Sequence, residues 1–163
     1  MAKPPQTKPP AESVSAPSSD LAALPARVAE MREAMLEAVA AKDIEALRPA
    51  IERNETMPLF ARGPDRPRTF ADAVDFLKRR AFDGRGRETL ALIEAILTQP
   101  YVKTTRGPVV TYVWPALALA PVKEPGDDDL RARYSCIRFA NINADAPPIE
   151  RIGIGADGTW HYF

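Results

Sequence analysis

Lys78, Arg79, Arg80, Arg85 and Arg87 place five positive charges within ten residues, and Asp83 is the one acid among them. Gly84 and Gly86 let the backbone turn sharply there and approach a ligand closely. Residues 86–88 stand where a helix begins, and the free N–H groups and dipole of a helix start attract anions. Arg85, Gly86, Arg87 and Arg80 are therefore the predicted anion-binding residues, for a carboxylate, a phosphate or an acidic polymer. The motif lacks the GKS or GKT ending of a P-loop. The same residues also read as ordinary punctuation, with glycines closing one helix, solvated arginines, and Glu88 complementing the dipole of the next.

The other reactive side chains are few. One histidine, His161, and one cysteine, Cys136, exclude His-pair zinc motifs, multi-cysteine metal sites and an intramolecular disulfide. Cys136 sits among strand formers with no base nearby in sequence and reads as a small buried residue rather than a nucleophile. In a terminal strand, His161 shares a face with Thr159 and Phe163 while Trp160 and Tyr162 share the other. Acid–base chemistry at His161 would need a cavity and a carboxylate such as Asp157 or Glu88, whereas a structural histidine packs or faces solvent. Glu124, Asp127, Asp128 and Asp129 surround Pro125-Gly126 without the alternation of an EF-hand, so they read as a solvated loop. No metal site, cofactor or catalytic residue is assigned. Tyr112, Trp114 and Trp160 are candidate lining for a pocket between sheet and helices, although such aromatics equally build cores.

Composition bounds the partners. Lys+Arg and Asp+Glu are 22 each in 163 residues, so the net charge is zero. That argues against a dedicated nucleic-acid binder and leaves a small anionic ligand or a protein partner. No run approaches the ~18 apolar residues of a membrane helix. The first 25 residues show no signal-peptide core. On that basis the chain reads as cytoplasmic, or as periplasmic or secreted if the start codon lies upstream.

These residues must be held by a frame. Residues 1–20 are Pro-rich and almost without large apolar side chains, which predicts a disordered tail. A single domain over 21–163 follows. Pro25 opens a helix with Val28, Met31, Met35 and Val39 on one face, and Lys42-Asp43 breaks it. Asp43 caps a second helix containing Ile44, Leu47 and Ile51, which Pro49 kinks or splits. Residues 54–68 read as a long loop pinned by Met57, Leu59 and Phe60. Thr69 and Asp72 cap a third helix ending by Ala81. Leu90, Ile93 and Leu97 give the fourth, stopped at Gln99-Pro100. Strands are predicted over 101–105, 109–114, 133–142, 149–154 and 159–163, the last two joined at Asp157-Gly158. The fold class is α+β, with about four helices packed on an antiparallel sheet of about five strands.

Four blocks together carry a resemblance: RVAEMREAMLEAV with DIEALRPAIERNE, then DGRGRE, then TYVWP, then RIGIGADGTWHYF. They resemble an uncharacterised family of small proteins of α-proteobacteria with a DGxGRE, YVWP and GxDGxWHxF pattern. The family brings no activity with it, but its members often begin with a signal peptide, which would make the Pro-rich stretch a mature tail. A weaker similarity, in EAVAAKDIEALRPAI and the Trp-containing last strand, is to NTF2-like domains, whose pocket serves enzymes, binders and scaffolds alike. The leading expectation is a non-enzymatic ligand- or partner-binding module with an anion site at the Gly84–Gly86 loop. The alternatives are an NTF2-like enzyme using His161 and a protein–protein interaction scaffold with an exposed apolar patch.

Overall fold

A computed structural model of the protein describes residues 9–163. Its first strand, β1 (Glu12–Val14), is followed by a short 3₁₀ turn at Leu21–Ala23 that Asp20 caps. The first helix, α1 (Ala26–Ala41), ends at Lys42, whose φ of 54° lies in the left-handed region. Asp43 then caps a 3₁₀ turn (Ile44–Leu47) by accepting the Glu45 amide at 2.9 Å. The expected second helix is indeed split, because α2 (Arg48–Glu52) starts afresh with Pro49 in its first turn, where a missing N–H costs nothing.

After the long loop come α3 (Phe70–Arg80), capped by Thr69, and α4 (Arg87–Leu97). The hairpin β2 (Val102–Arg106) and β3 (Val109–Trp114) follows at once. A further helix, α5 (Asp127–Tyr134), precedes the closing hairpin β4 (Ile152–Gly155) and β5 (Trp160–Tyr162). The five strands form one antiparallel sheet in the order β1-β2-β3-β4-β5.

The core lies between the helices and one sheet face. Val28, Met31 and Met35 of α1, Leu77 of α3 and Ile93 and Leu97 of α4 meet Trp114, Ile152, Ile154 and Trp160 there. Burying these side chains is the main favourable term of folding. On the other face Val102, Val113 and Ala116 form a smaller cluster with Tyr162 packed on it. The edge at β5 is covered by the long loop, where the Leu59 amide donates to the His161 carbonyl at 2.8 Å and the Phe163 amide donates to Leu59 at 3.2 Å.

Two expectations need correction. Residues 133–142 are not a strand: α5 ends at Tyr134 and a 3₁₀ turn occupies Phe139–Asn141. The apparent alternation is overridden by Asp127, Asp128 and Asp129 at the helix start and Arg131 and Arg133 in its last turn, a charge order that complements the helix dipole. The fifth strand is instead β1, inside the stretch expected to be a disordered tail. It buries no side chain and is held by the main chain, with Ser15 N donating to Lys103 O at 2.9 Å and Tyr101 and Ser18 exchanging both backbone bonds. The Tyr101 hydroxyl adds a bond to Asp20 O at 2.8 Å. Residues 1–8 of that expected tail lie outside the described residues.

Candidate functional site

The basic loop between α3 and α4 is built around its single acid. The Asp83 carboxylate accepts the amides of Arg85 at 2.8 Å, Arg87 at 3.1 Å and Glu88 at 2.9 Å. Burial alone pushes the Asp83 carboxyl up, but the amides of Glu88, Arg85 and Arg87 outweigh it and hold the group below its usual range. The helix-start donors predicted to bind an external anion are thus occupied by an internal one. Gly86 has φ 86°, and a Cβ there would stand 2.7 Å from Ile44 Cγ1, so this glycine lets the loop close onto the α1–α2 connection. Its part is packing.

Arg80 leaves the predicted group altogether. Its guanidinium turns inward, Nη1 donating to Phe60 O at 2.7 Å and Nη2 pairing with Glu150 at 3.4 Å. Burial presses its pKa down, opposed by Glu150. Arg85 and Arg87 do stay together. They are exposed and line a cleft of about 470 Å³ with Lys42 and Lys78, over Ile44 and Leu90. The two carboxylates there are already engaged. Asp43 caps the 3₁₀ turn, and Glu45 takes Lys78 on one oxygen and Arg48 on the other, the latter at 2.8 Å. Hydrogen bonds from Lys78 and then Arg48 hold the Glu45 carboxyl below its ordinary value. Among the described residues Lys42, Arg85 and Arg87 have no carboxylate within ion-pair distance. The cleft therefore presents unpaired positive charge.

The three aromatics do not line a cavity together. Trp114 and Trp160 are fully buried on the sheet face that the helices cover. Tyr101 packs on Tyr112 and Trp114, with ring centroids 5.9 and 5.2 Å apart, whereas Trp160 meets Phe60 edge-on at 5.2 Å. The Trp160 indole N–H donates to Tyr162 O at 3.0 Å. Tyr112 is half-buried, and burial raises its phenol pKa.

His161 is exposed and lies across Gly155, where a Cβ would stand 2.5 Å from its Nε2. Asp157, in the adjoining turn, accepts the Thr159 amide at 3.0 Å, which lowers its carboxyl below the usual range. His161 and Asp157 make no ion pair within 4.0 Å. Glu88 is held by Arg138 and the amides of Phe82 and Phe139, not by His161. Cys136 is buried, in contact with Gln99 Nε2 at 3.2 Å, and burial pushes its thiol up, away from nucleophilic reactivity.

Sequence reasoning missed the buried ion cluster that Arg80 joins. Arg138 donates through Nη1 to Glu88 at 3.3 Å and through Nε to Glu150 at 3.1 Å, with its side chain 4% exposed. Glu88 spends its remaining capacity on two amides, of Phe139 at 2.8 Å and Phe82 at 3.3 Å. Arg138 also lies 5.7 Å from the Phe163 ring centroid, while its Nη2 has no hydrogen-bond partner among the described residues. The four charges balance and the groups hold one another, so the cluster acts as a clamp. Its members stand at 80, 88, 138 and 150, and no local pattern announces them.

No group of three or more His, Cys, Asp or Glu side chains is gathered as metal ligands among the described residues, and no helix there is long and apolar enough to cross a membrane. Comparison with protein-family models, with curated proteins and with solved structures finds no match for the chain.

Proposed function

We propose that the protein is a small non-enzymatic binding module whose ligand is an anion seated between the α1–α2 connection and the α3–α4 loop. The observation that carries this reading is the convergence of Lys42, Lys78, Arg85 and Arg87 on one cleft whose carboxylates are already engaged. Four cations against the two carboxylates of Asp43 and Glu45 leave an excess of positive charge on a concave surface, which raises the local concentration of anions. Arg85 and Arg87 serve through their guanidinium groups, well suited to carboxylate and phosphate oxygens, rather than through the amides that Asp83 occupies. The ligand is phosphate- or carboxylate-bearing, and the apolar floor of Ile44 and Leu90 accommodates a non-polar moiety beside the charge.

The likeness to the small α-proteobacterial proteins rests on blocks that have structural work in this fold. In DGRGRE, Asp83 closes the helix start, Gly86 admits Ile44, and Glu88 anchors the ion cluster.

The test is thermal. Inorganic phosphate or sulfate raises the melting temperature of the native chain as a bound ligand does. In Arg85→Ala/Arg87→Ala the melting temperature without anion stays within a degree or two, since both side chains are exposed, and the anion-dependent rise disappears. A double variant that keeps the full rise places the anion elsewhere and overturns the reading.

A further inference from the structure

The long loop between α2 and α3 takes no part in the anion cleft, yet it is firmly placed. A connection of this length without regular structure is uncommon in a compact domain unless it serves a function. Its first limb is tied to the sheet edge at Leu59, through the backbone bonds with His161 and Phe163. Phe60 is buried edge-on against Trp160, and its carbonyl accepts Arg80 Nη1 at 2.7 Å. The chain then reverses at residues 63–66, where Gly63 has φ 96° and the Arg66 amide reaches Gly63 O at 3.5 Å. The second limb runs into Thr69, which caps α3. Both limbs are fixed, and Pro58 and Pro67 stiffen them.

Between the limbs lies a groove of about 280 Å³, lined by Met57, Leu59, Phe60 and Pro67 together with Arg66 and Arg68. The two arginines are the only charged residues of that lining among the described residues, and Asp65, in the turn, is not part of it. Both are exposed, and neither has a carboxylate within ion-pair distance among the described residues. A pre-formed, mostly apolar concavity with a few polar groups to set orientation is the usual form of a small-molecule site. Two guanidinium groups without a counter-charge select a carboxylate, whose planar pair of oxygens matches their fork of donors. The volume falls just short of the range of drug-sized pockets, so the ligand is small. We propose that this groove is a second ligand site, separate from the anion cleft, and that it takes a small carboxylic acid with an aliphatic or aromatic body. The carboxylate meets Arg66 and Arg68, and the body lies on Met57, Leu59 and Pro67.

The experiment titrates the full chain with anilinonaphthalene sulfonate, a fluorescent probe that carries one negative charge on an aromatic body. The expected result is a rise in emission on the native protein. Octanoate displaces the probe about tenfold more tightly than octanol, which has the same chain without the charge. Inorganic phosphate, which has no apolar body, does not displace it. Arg66→Gln/Arg68→Gln weakens the probe about tenfold and leaves the melting temperature and the response to phosphate as they were, since both side chains are exposed. Arg85→Ala/Arg87→Ala leaves the affinity for the probe unchanged, which separates this site from the cleft. Probe binding undiminished in Arg66→Gln/Arg68→Gln overturns the proposal, as does displacement by octanol as readily as by octanoate. So does a native chain that binds neither probe nor octanoate, or a probe signal that is lost in Arg85→Ala/Arg87→Ala instead.

Discussion

At the scale of single residues, Asp83 decides what the basic loop is. Three amides converge on its carboxylate, so it does for α4 what an N-cap does for other helices. Asp83→Ala should cost about 1–2 kcal/mol in urea denaturation, the size of a lost cap. It should also create what the native chain fills for itself: helix-start donors facing solvent beside two arginines. Phosphate or sulfate should therefore restore part of the lost stability in Asp83→Ala, beyond the rise seen in the native chain. An identical anion response in both proteins would mean that the freed amides are not aimed at the ligand. Gly86 makes the complementary case. Its φ of 86° and the 2.7 Å approach of Ile44 predict that Gly86→Ala destabilises by about 1–3 kcal/mol. Shortening Ile44 to Ala in the same chain should cost less than the sum of the two single changes, because it removes the Cγ1 and Cδ1 part of the clash and leaves only the Cβ, 2.9 Å away.

At the scale of elements, the buried cluster joins pieces that the sheet does not. Arg80 ends α3, Glu88 begins α4, Arg138 follows α5 and Glu150 precedes β4. Arg138→Met should destabilise by about 3–5 kcal/mol, since it leaves two carboxylates buried against a single arginine. The strand β1 is the opposite kind of element. It has only main-chain bonds and buries nothing, so its amides should exchange at least ~100-fold faster than those of β3 and β4, through local opening. Equal protection would mean that β1 opens only with the whole fold. The same contrast explains what the sequence disclosed. The helices α1, α3 and α4 and both hairpins were legible, because Pro25, Thr69, Pro100 and Asp157-Gly158 punctuate runs of clear period. Strand β1 was not, because pairing through the backbone leaves no pattern in side chains. Residues 133–142 misled, because short alternation resembles a strand whatever the flanking charges favour. The inward turn of Arg80 was also invisible. Its partners lie up to 83 residues away in sequence, and nothing within the basic run distinguishes it from Arg79.

At the scale of the whole molecule, one core unites α1–α4 with the sheet, and both tryptophans are in it. Fluorescence and far-ultraviolet circular dichroism should therefore report one coincident unfolding transition. The pH dependence of that transition follows from groups spread over the surface. Glu45 is lowered by Lys78 and Arg48. Asp83 is lowered by its amides despite the opposing effect of burial, and Asp157 by the Thr159 amide. For each, the unfolded chain holds the proton more tightly than the folded one. Their contribution is complete above a pH of about 4–5 and is lost as the pH falls through the folded values. Tyr162 and Tyr112 are raised, chiefly by burial, and Lys78 is raised by Glu45. Here the folded chain holds the proton more tightly. That contribution is complete below a pH of about 10 and is lost as the pH rises through the folded values. Burial also raises the Cys136 thiol, whose unfolded value is about 8.5, so the urea midpoint should be flat between about pH 5 and 8 and fall on both sides. Tyr162→Phe, which keeps the ring over Gly153 and removes the ionisable hydroxyl, should make the alkaline fall shallower while leaving the acid side unchanged. An unaltered alkaline slope would assign that limb to the other groups that hold their protons more tightly in the fold, Tyr112, Cys136 and Lys78.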